Sequence, residues 1–288
     1  MARPEIKPFF DPSSNTFSYV VWDPQEQKAA IFDCVLDYDP ASARTGHGLA
    51  DALVSFVEAS GLTVEWVIET HLHADHLSAA PYVQSRVGGK LGIGEHVLAS
   101  QQTFGELFNA GSEFQRDGGQ FDHLFKDGER YRLGSIDAVA LHTPGHTPAC
   151  MTHIIGDAAF VGDTLFMPDY GSARCDFPGG DARTLYRSIQ KLFQLPDATR
   201  VFMCHDYKPE GRSEFRYETT MGEQRRANVH VRQGVSEEDF VLMRTARDAT
   251  LATPRLLLPS VQINMRGGRL PPLESNGLRY LKIPLDAS

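Results

Sequence analysis

Two periodicities organise the apolar positions of this chain. FSYVVWD and KAAIFDCV are strand-like runs rich in aromatic and β-branched residues; PQEQ separates them, and Asp23-Pro24 supplies the break. From Gly48 to Ser60 the apolar positions Leu49, Leu53, Phe56 and Val57 recur at helical spacing, and Gly61 ends that helix. VEWVIET predicts a short buried strand delivering the chain to His71, and LSAAPYVQSRVGG a helix stopped by Gly88-Gly89. A polar loop then separates this half from a second strand-rich block: ERYRLG, IDAVALHT, ACMTHIIGD and AAFVGDTLF. DARTLYRSIQKLFQLP is amphipathic, with Leu185, Ile189, Leu192 and Phe193 on one face, Asp181 as N-cap and Pro196 as stop. RVFMCHD is a strand leading to His205.

Two comparable α/β halves predict two sheets packed face to face with helices outside, spanning residues 1–210. Beyond residue 210 the texture turns basic and polar, then helical in SEEDFVLMRTARDATLATP, then rich in Pro and Gly. Residues 211–288 are therefore expected as an appendage packed on the same domain. A length of 288 residues and 41% hydrophobic content suit one large soluble domain. The net charge of -9 argues against a general nucleic-acid or anionic-membrane binder. No apolar run approaches the roughly 18 residues of a membrane span, and MARPEIKPFFDPSSN lacks signal-peptide character. The four cysteines, Cys34, Cys150, Cys175 and Cys204, are scattered, which suits reduced thiols and a cytoplasmic location.

The chemistry concentrates at strand ends. In Thr70-His71-Leu72-His73-Ala74-Asp75-His76, four potential metal ligands fall within six residues, directly after an apolar strand. Three further strands end in candidate ligands: LHTPGHTP at His146, FVGDTLF at Asp163 and VFMCHDY at His205. Pro144 and Gly145 force a tight turn that fixes the aim of His146. Asp163 alone would read as a turn aspartate; the four segments together read as one metal-binding constellation.

T-H-L-H-A-D-H, T-P-G-H-T, G-D-T-L-F and C-H-D-Y, in this order over about residues 10 to 210, resemble the metallo-β-lactamase superfamily. The resemblance implies an αββα sandwich with the metal at one edge. Two branches share this motif set: glyoxalase II, a two-metal thioester hydrolase, and the persulfide dioxygenases, which include the ethylmalonic-encephalopathy protein and use one Fe(II). The loop after Asp163, PDYGSARCDFPGG, carries Arg174-x-Asp176-Phe177, similar to the dioxygenases' R-x-D-F segment. GEQRRANVHV resembles their E-x-R-x-x-N segment, implying Arg225 as a contact to a glutathione carboxylate. The loop as a whole is closer to bacterial β-lactamase-hydrolase-like members, whose substrates are less uniform.

By this resemblance His71, His146 and Asp163 bind a single Fe(II), and the reaction oxidises glutathione persulfide or a similar thiol persulfide with O₂. His73, Asp75, His76 and His205 would orient those ligands. Asp176 would buttress one of them, Tyr207 would support catalysis, and Arg174 and Phe177 would meet the substrate. Under the hydrolase alternative Asp75, His76 and His205 hold a second Zn or Fe, with Asp163 bridging. A non-catalytic metal protein is disfavoured, because a structural site needs only four ligands. No nucleic-acid or membrane partner is expected, and a homodimer is left open.

Overall fold

The computed structural model describes residues 3–286. The first half runs β1 (Glu5–Asp11), β2 (Thr16–Trp22), β3 (Lys28–Phe32), β4 (Val35–Asp39), β5 (Arg44–Gly46), α1 (Gly48–Ala59), β6 (Thr63–Ile68), β7 (Leu77–Ser78), α2 (Ala80–Val87), β8 (Lys90–Gly94), α3 (Val97–Leu107) and β9 (His123–Phe125). The second runs β10 (Glu129–Leu133), β11 (Ile136–His142), β12 (Met151–Ile155), β13 (Ala158–Phe160), α4 (Ala182–Leu192), β14 (Arg200–Phe202) and β15 (Glu218–Thr220). Helices α5 (Met221–Ala227), α6 (Glu237–Asp248) and α7 (Leu257–Asn264) follow.

One six-stranded sheet has the order β1-β2-β3-β6-β8-β9 and the other β10-β11-β12-β13-β14-β15; β5-β4-β7 forms a small third sheet. The inner faces meet in a core that includes Tyr19, Phe32, Ile68, Phe125, Met151, Phe160 and Phe202. The outer face of the first sheet buries Ile31, Val67 and Leu91 against Leu53 and Val57 of α1 and Val83 of α2. The outer face of the second buries Ala159 and Val201 against Leu185 and Ile189 of α4 and Phe240 of α6. These four layers are the expected αββα sandwich. Burying both faces explains why central strands such as β3 read as continuous apolar runs.

Helix α1 ends as predicted, with Gly61 at φ 64, and the Asp181 side chain accepts from Thr184 N as an N-cap. The predicted polar loop between the halves is wrong: it contains β8, α3 and β9. Helix α3 escapes a hydrophobic reading because its buried face includes Ser100, Gln101 and Gly105. Gln101 is accommodated by donating to Gln120 Oε1 and Met265 O and accepting from Gly118 N. The Pro/Gly-rich tail likewise hides α7, whose last five residues, Ser260 to Asn264, are all buried, leaving no polar stripe to give it a period.

The segment after residue 210 straddles the sandwich. β15 extends the second sheet beside β14, α6 packs on α4, and α7 contributes Val261 and Ile263 to the core of the first half. It therefore crosses the edge where the strand ends carry their polar residues.

Candidate metal centre

Strand geometry brings the dispersed motifs together. β6 ends at Ile68, β11 at His142, β13 at Phe160 and β14 at Phe202; the loops after these ends carry His71, His146, Asp163 and His205. In the turn before His146, Gly145 has φ 135, and a Cβ there would lie 2.4 Å from the Leu185 backbone. Gly145→Ala is expected to cost about 2–4 kcal/mol from overpacking and backbone strain. Denaturant unfolding measures this directly, with metal content reporting the displacement of His146.

His71, His146 and Asp163 form one donor group, with ligand atoms within 4.8 Å of one another. Asp163 Oδ2 lies 3.6 Å from His146 Nε2 and 3.9 Å from His71 Nε2. A second group joins His73, Asp75, His76 and His205. The two touch through Asp163, whose Oδ1 is 3.4 Å from His205 Nε2. Five buried atoms of this set have no hydrogen-bond partner among the described residues: His71 Nε2, His73 Nδ1, His76 Nε2, Asp75 Oδ2 and Asp163 Oδ1. Unpaired buried donors and acceptors are costly, and their gathering in two adjoining donor groups is what a cation relieves. The residues present therefore fit a metal.

The supports around the imidazoles fix which nitrogen faces inward. His146 Nδ1 donates to the Arg174 carbonyl at 2.8 Å, leaving Nε2 toward Asp163. His73 Nε2 faces two buried carboxylates, Asp33 at 2.9 Å and Glu69 at 3.1 Å, leaving Nδ1 free. His76 and His205 both turn Nδ1 toward Thr16 Oγ1. Burial and the neighbouring imidazoles push the His71 pKa well down, so its ring stays neutral and able to ligate. Against its burial, Asp75 is held well below the usual carboxylate range by His205 and His76.

Asp33 and Glu69 were not among the expected site residues. Asp33 sits just past β3 at φ 48, 2% exposed, and also accepts from Thr70 N at 2.7 Å. Despite burial, His73 and the Thr70 hydrogen bonds lower its pKa. Asn264 of α7 was missed as well: its amide donates to the carbonyls of His73 and His76, each at 2.8 Å, and its Oδ1 accepts from Ser78 N at 2.9 Å. The only trace in the sequence is an acid or amide in a buried apolar setting.

A cleft of about 320 Å³ opens over Asp75, His146 and Asp163. Arg174, Phe177 and Tyr207 are among the residues that line it. Tyr207 stacks on His205 with ring centroids 5.6 Å apart, and the Phe177 and His146 rings meet in a T-shaped arrangement with centroids 5.1 Å apart. Asp176 does not buttress a ligand. It is exposed and pairs through both oxygens with Arg174, at 2.6 and 2.7 Å; the buttress of His146 is the Arg174 carbonyl. Arg225 does not reach the cleft. It lies 2.5 Å from Asp197, donates to Leu195 O, and lines a separate cavity with Tyr186 and Arg232. Its position on α5 turns it toward α4 and away from the strand ends.

The model of the metallo-β-lactamase superfamily matches residues 12–205. The chain belongs to this superfamily. Its relatives include a probable metallo-hydrolase of Burkholderia pseudomallei, 59% identical over 98% of this chain and 99% of that one. The β-lactamase hydrolase-like protein of Agrobacterium fabrum is 51% identical over 99% of this chain, which spans 65% of that longer protein. Human mitochondrial persulfide dioxygenase ETHE1 is 30% identical over 91% of this chain and 88% of its own length. Among solved structures, ETHE1 from Myxococcus xanthus superposes with a TM-score of 0.72 at 28% identity, covering 92% of this chain and all of that one. This superfamily chain thus carries a metal-binding His/Asp cluster in a metal-dependent-enzyme fold. No helix among its described residues is long and apolar enough to cross a membrane.

Proposed function

We propose that this superfamily member is a mononuclear Fe(II) persulfide dioxygenase acting on glutathione persulfide or a related thiol persulfide. One observation carries the reading: the Arg174–Phe177 segment, similar to that of the dioxygenases, wraps the candidate ligand His146 through the Arg174 carbonyl and the Phe177 ring. The likeness to persulfide dioxygenases across nine-tenths of the chain supports it.

In balance, one persulfide, one O₂ and one water give one thiol, one sulfite and two protons. Iron(II), when bound by His71, His146 and Asp163, supplies redox chemistry and open coordination positions. The chain does the rest. Phe166, Phe177, Leu251 and Leu256 give the cleft an apolar lining that limits water around a reactive sulfur. Arg174, locked by Asp176 and by its donation to Ala252 O at 2.8 Å, ties the loop after Asp163 to the segment after α6. That tie fixes the cleft's shape, and the Arg174 carbonyl fixes the His146 ring.

The second donor group favours one other reading, a two-metal thioester hydrolase, in which Asp75, His76 and His205 take a second metal beside Asp163. Metal analysis of anaerobically purified protein, with O₂ uptake on glutathione persulfide and hydrolysis of a glutathione thioester, separates the two. One iron with O₂ uptake and sulfite release is expected. Two metals with thioester hydrolysis alone would replace the proposal. Arg225→Ala, removed from the cleft, is expected to change KM for glutathione persulfide by less than about twofold, its Asp197 pair being a half-exposed one of small energetic weight. A tenfold rise in KM would return Arg225 to the substrate site.

A further inference from the structure

Four arginines line the metal cleft: Arg174, Arg244, Arg247 and Arg255. Two are already neutralised. Arg174 pairs with Asp176, and Arg244, 1% exposed, pairs with Asp248 at 2.5 Å and donates to Ser172 O. The other two are free. Among the described residues no carboxylate lies within ion-pair distance of Arg247 or Arg255, and neither side chain makes a hydrogen bond. Arg247 instead holds its guanidinium 5.8 Å over the Tyr170 ring, another cleft residue. Arg255 contributes to lowering the pKa of Asp39, after hydrogen bonds from Ser42 and Ala41 that already occupy that carboxylate.

The acids lining the cleft are Asp75 and Asp163 alone, both in the metal-ligand set. With a metal in place their charge is answered locally, so the outer wall presents two uncompensated cations in a chain of net charge -9. Burial first, then Arg244 and Arg247, push the pKa of the neighbouring His230 down to about 4. Both free arginines come from the segment at and just after the end of α6, which faces His146 and Asp163 across the cleft.

We propose that Arg247 and Arg255 form the subsite that holds the carboxylates of an anionic thiol carrier while its sulfur reaches the metal ligands. This rests on the persulfide reading for the reaction, though not for the binding. Guanidinium groups suit carboxylates because their fixed forks donate bidentately. The carboxylates lie remote from the reacting sulfur, so the contact is the same in ground and transition states and appears in KM, not kcat. The site Arg225 was expected to supply is thus built from the C-terminal segment.

Reduced glutathione is titrated calorimetrically into the metal-loaded full-length protein and its R247Q, R255Q and double variants. Each single change is expected to weaken binding about tenfold, as loss of a charge-assisted contact does. Steady-state KM values are then compared for glutathione persulfide and the persulfide of 2-mercaptoethanol, which has no carboxylate. The wild-type preference for the glutathione substrate should fall toward one in the double variant, together with its sensitivity to ionic strength. Metal content and melting temperature identify any misfolded variant, and Arg247→Lys and Arg255→Lys should restore part of the affinity. Glutathione affinity unchanged within twofold in the double variant, or no detectable affinity in the wild type, overturns the subsite. Failure of the wild type to consume O₂ with either persulfide overturns the reaction class instead, while the calorimetry still decides the subsite.

Discussion

Asp163→Ala is expected to lower metal affinity by more than a hundredfold and to reduce turnover to background. Changes to groups that merely orient ligands already cost about ten- to a hundredfold, and Asp163 does more. Its two oxygens face His146 and His71 on one side and His205 on the other. It is 5% exposed, so no water replaces it freely, and its loss leaves a cluster of imidazoles with no central anion. The same substitution should be severe whether one metal or two is bound, which makes it a test of the site and not of its stoichiometry. His205→Ala supplies that second test. With one iron on His71, His146 and Asp163, His205 only braces Asp163 and stacks under Tyr207, so iron should stay near one per chain while turnover falls. Elemental analysis of anaerobic protein, read beside O₂ uptake, checks both variants. An emptied site in His205→Ala, matching the loss in Asp163→Ala, would show that His205 is itself a required ligand.

Asn264→Leu is expected to cost about 2–5 kcal/mol of stability and about ten- to a hundredfold in metal affinity. Leucine keeps the branching of the asparagine side chain but removes every hydrogen bond. Two buried carbonyls, at His73 and His76, and the Ser78 N–H would then be left unpaired. Those groups belong to the loop carrying four of the candidate ligands, so the loss should loosen the loop as well as the helix. Asn264→Gln, which retains the amide on a longer arm, should recover part of the metal affinity; a purely packing role would show no such recovery. Unfolding midpoints with and without chelator separate the two effects. A chelator-insensitive loss, equal in both variants, would show that Asn264 holds only α7 and not the metal loop.

The sequence by itself determined the ligand-bearing motifs and the layers that carry them. His71, His73, Asp75 and His76 are close in sequence because one loop holds them, and His146, Asp163 and His205 each follow an apolar strand whose end is recognisable from its neighbours. Local rules suffice there: period, caps at Asp181 and Gly61, and the turn before His146. Tertiary structure alone decided what surrounds the ligands. Asp33, Glu69 and Asn264 lie in apolar segments where a single polar residue has no local signature, and only the approach of three separate elements gives each its partner. Arg174, Arg225, Arg244, Arg247 and Arg255 are chemically alike in the sequence. Which are free to meet a substrate depends on whether folding sets a carboxylate beside them, as it does for Arg174, Arg225 and Arg244. Helix α3 and α7 were illegible for the same reason. Polar residues such as Gln101 and Gln262 share their buried faces with Val97, Phe104, Val261 and Ile263 and are satisfied by hydrogen bonds to distant chain, which blurs the hydrophobic period.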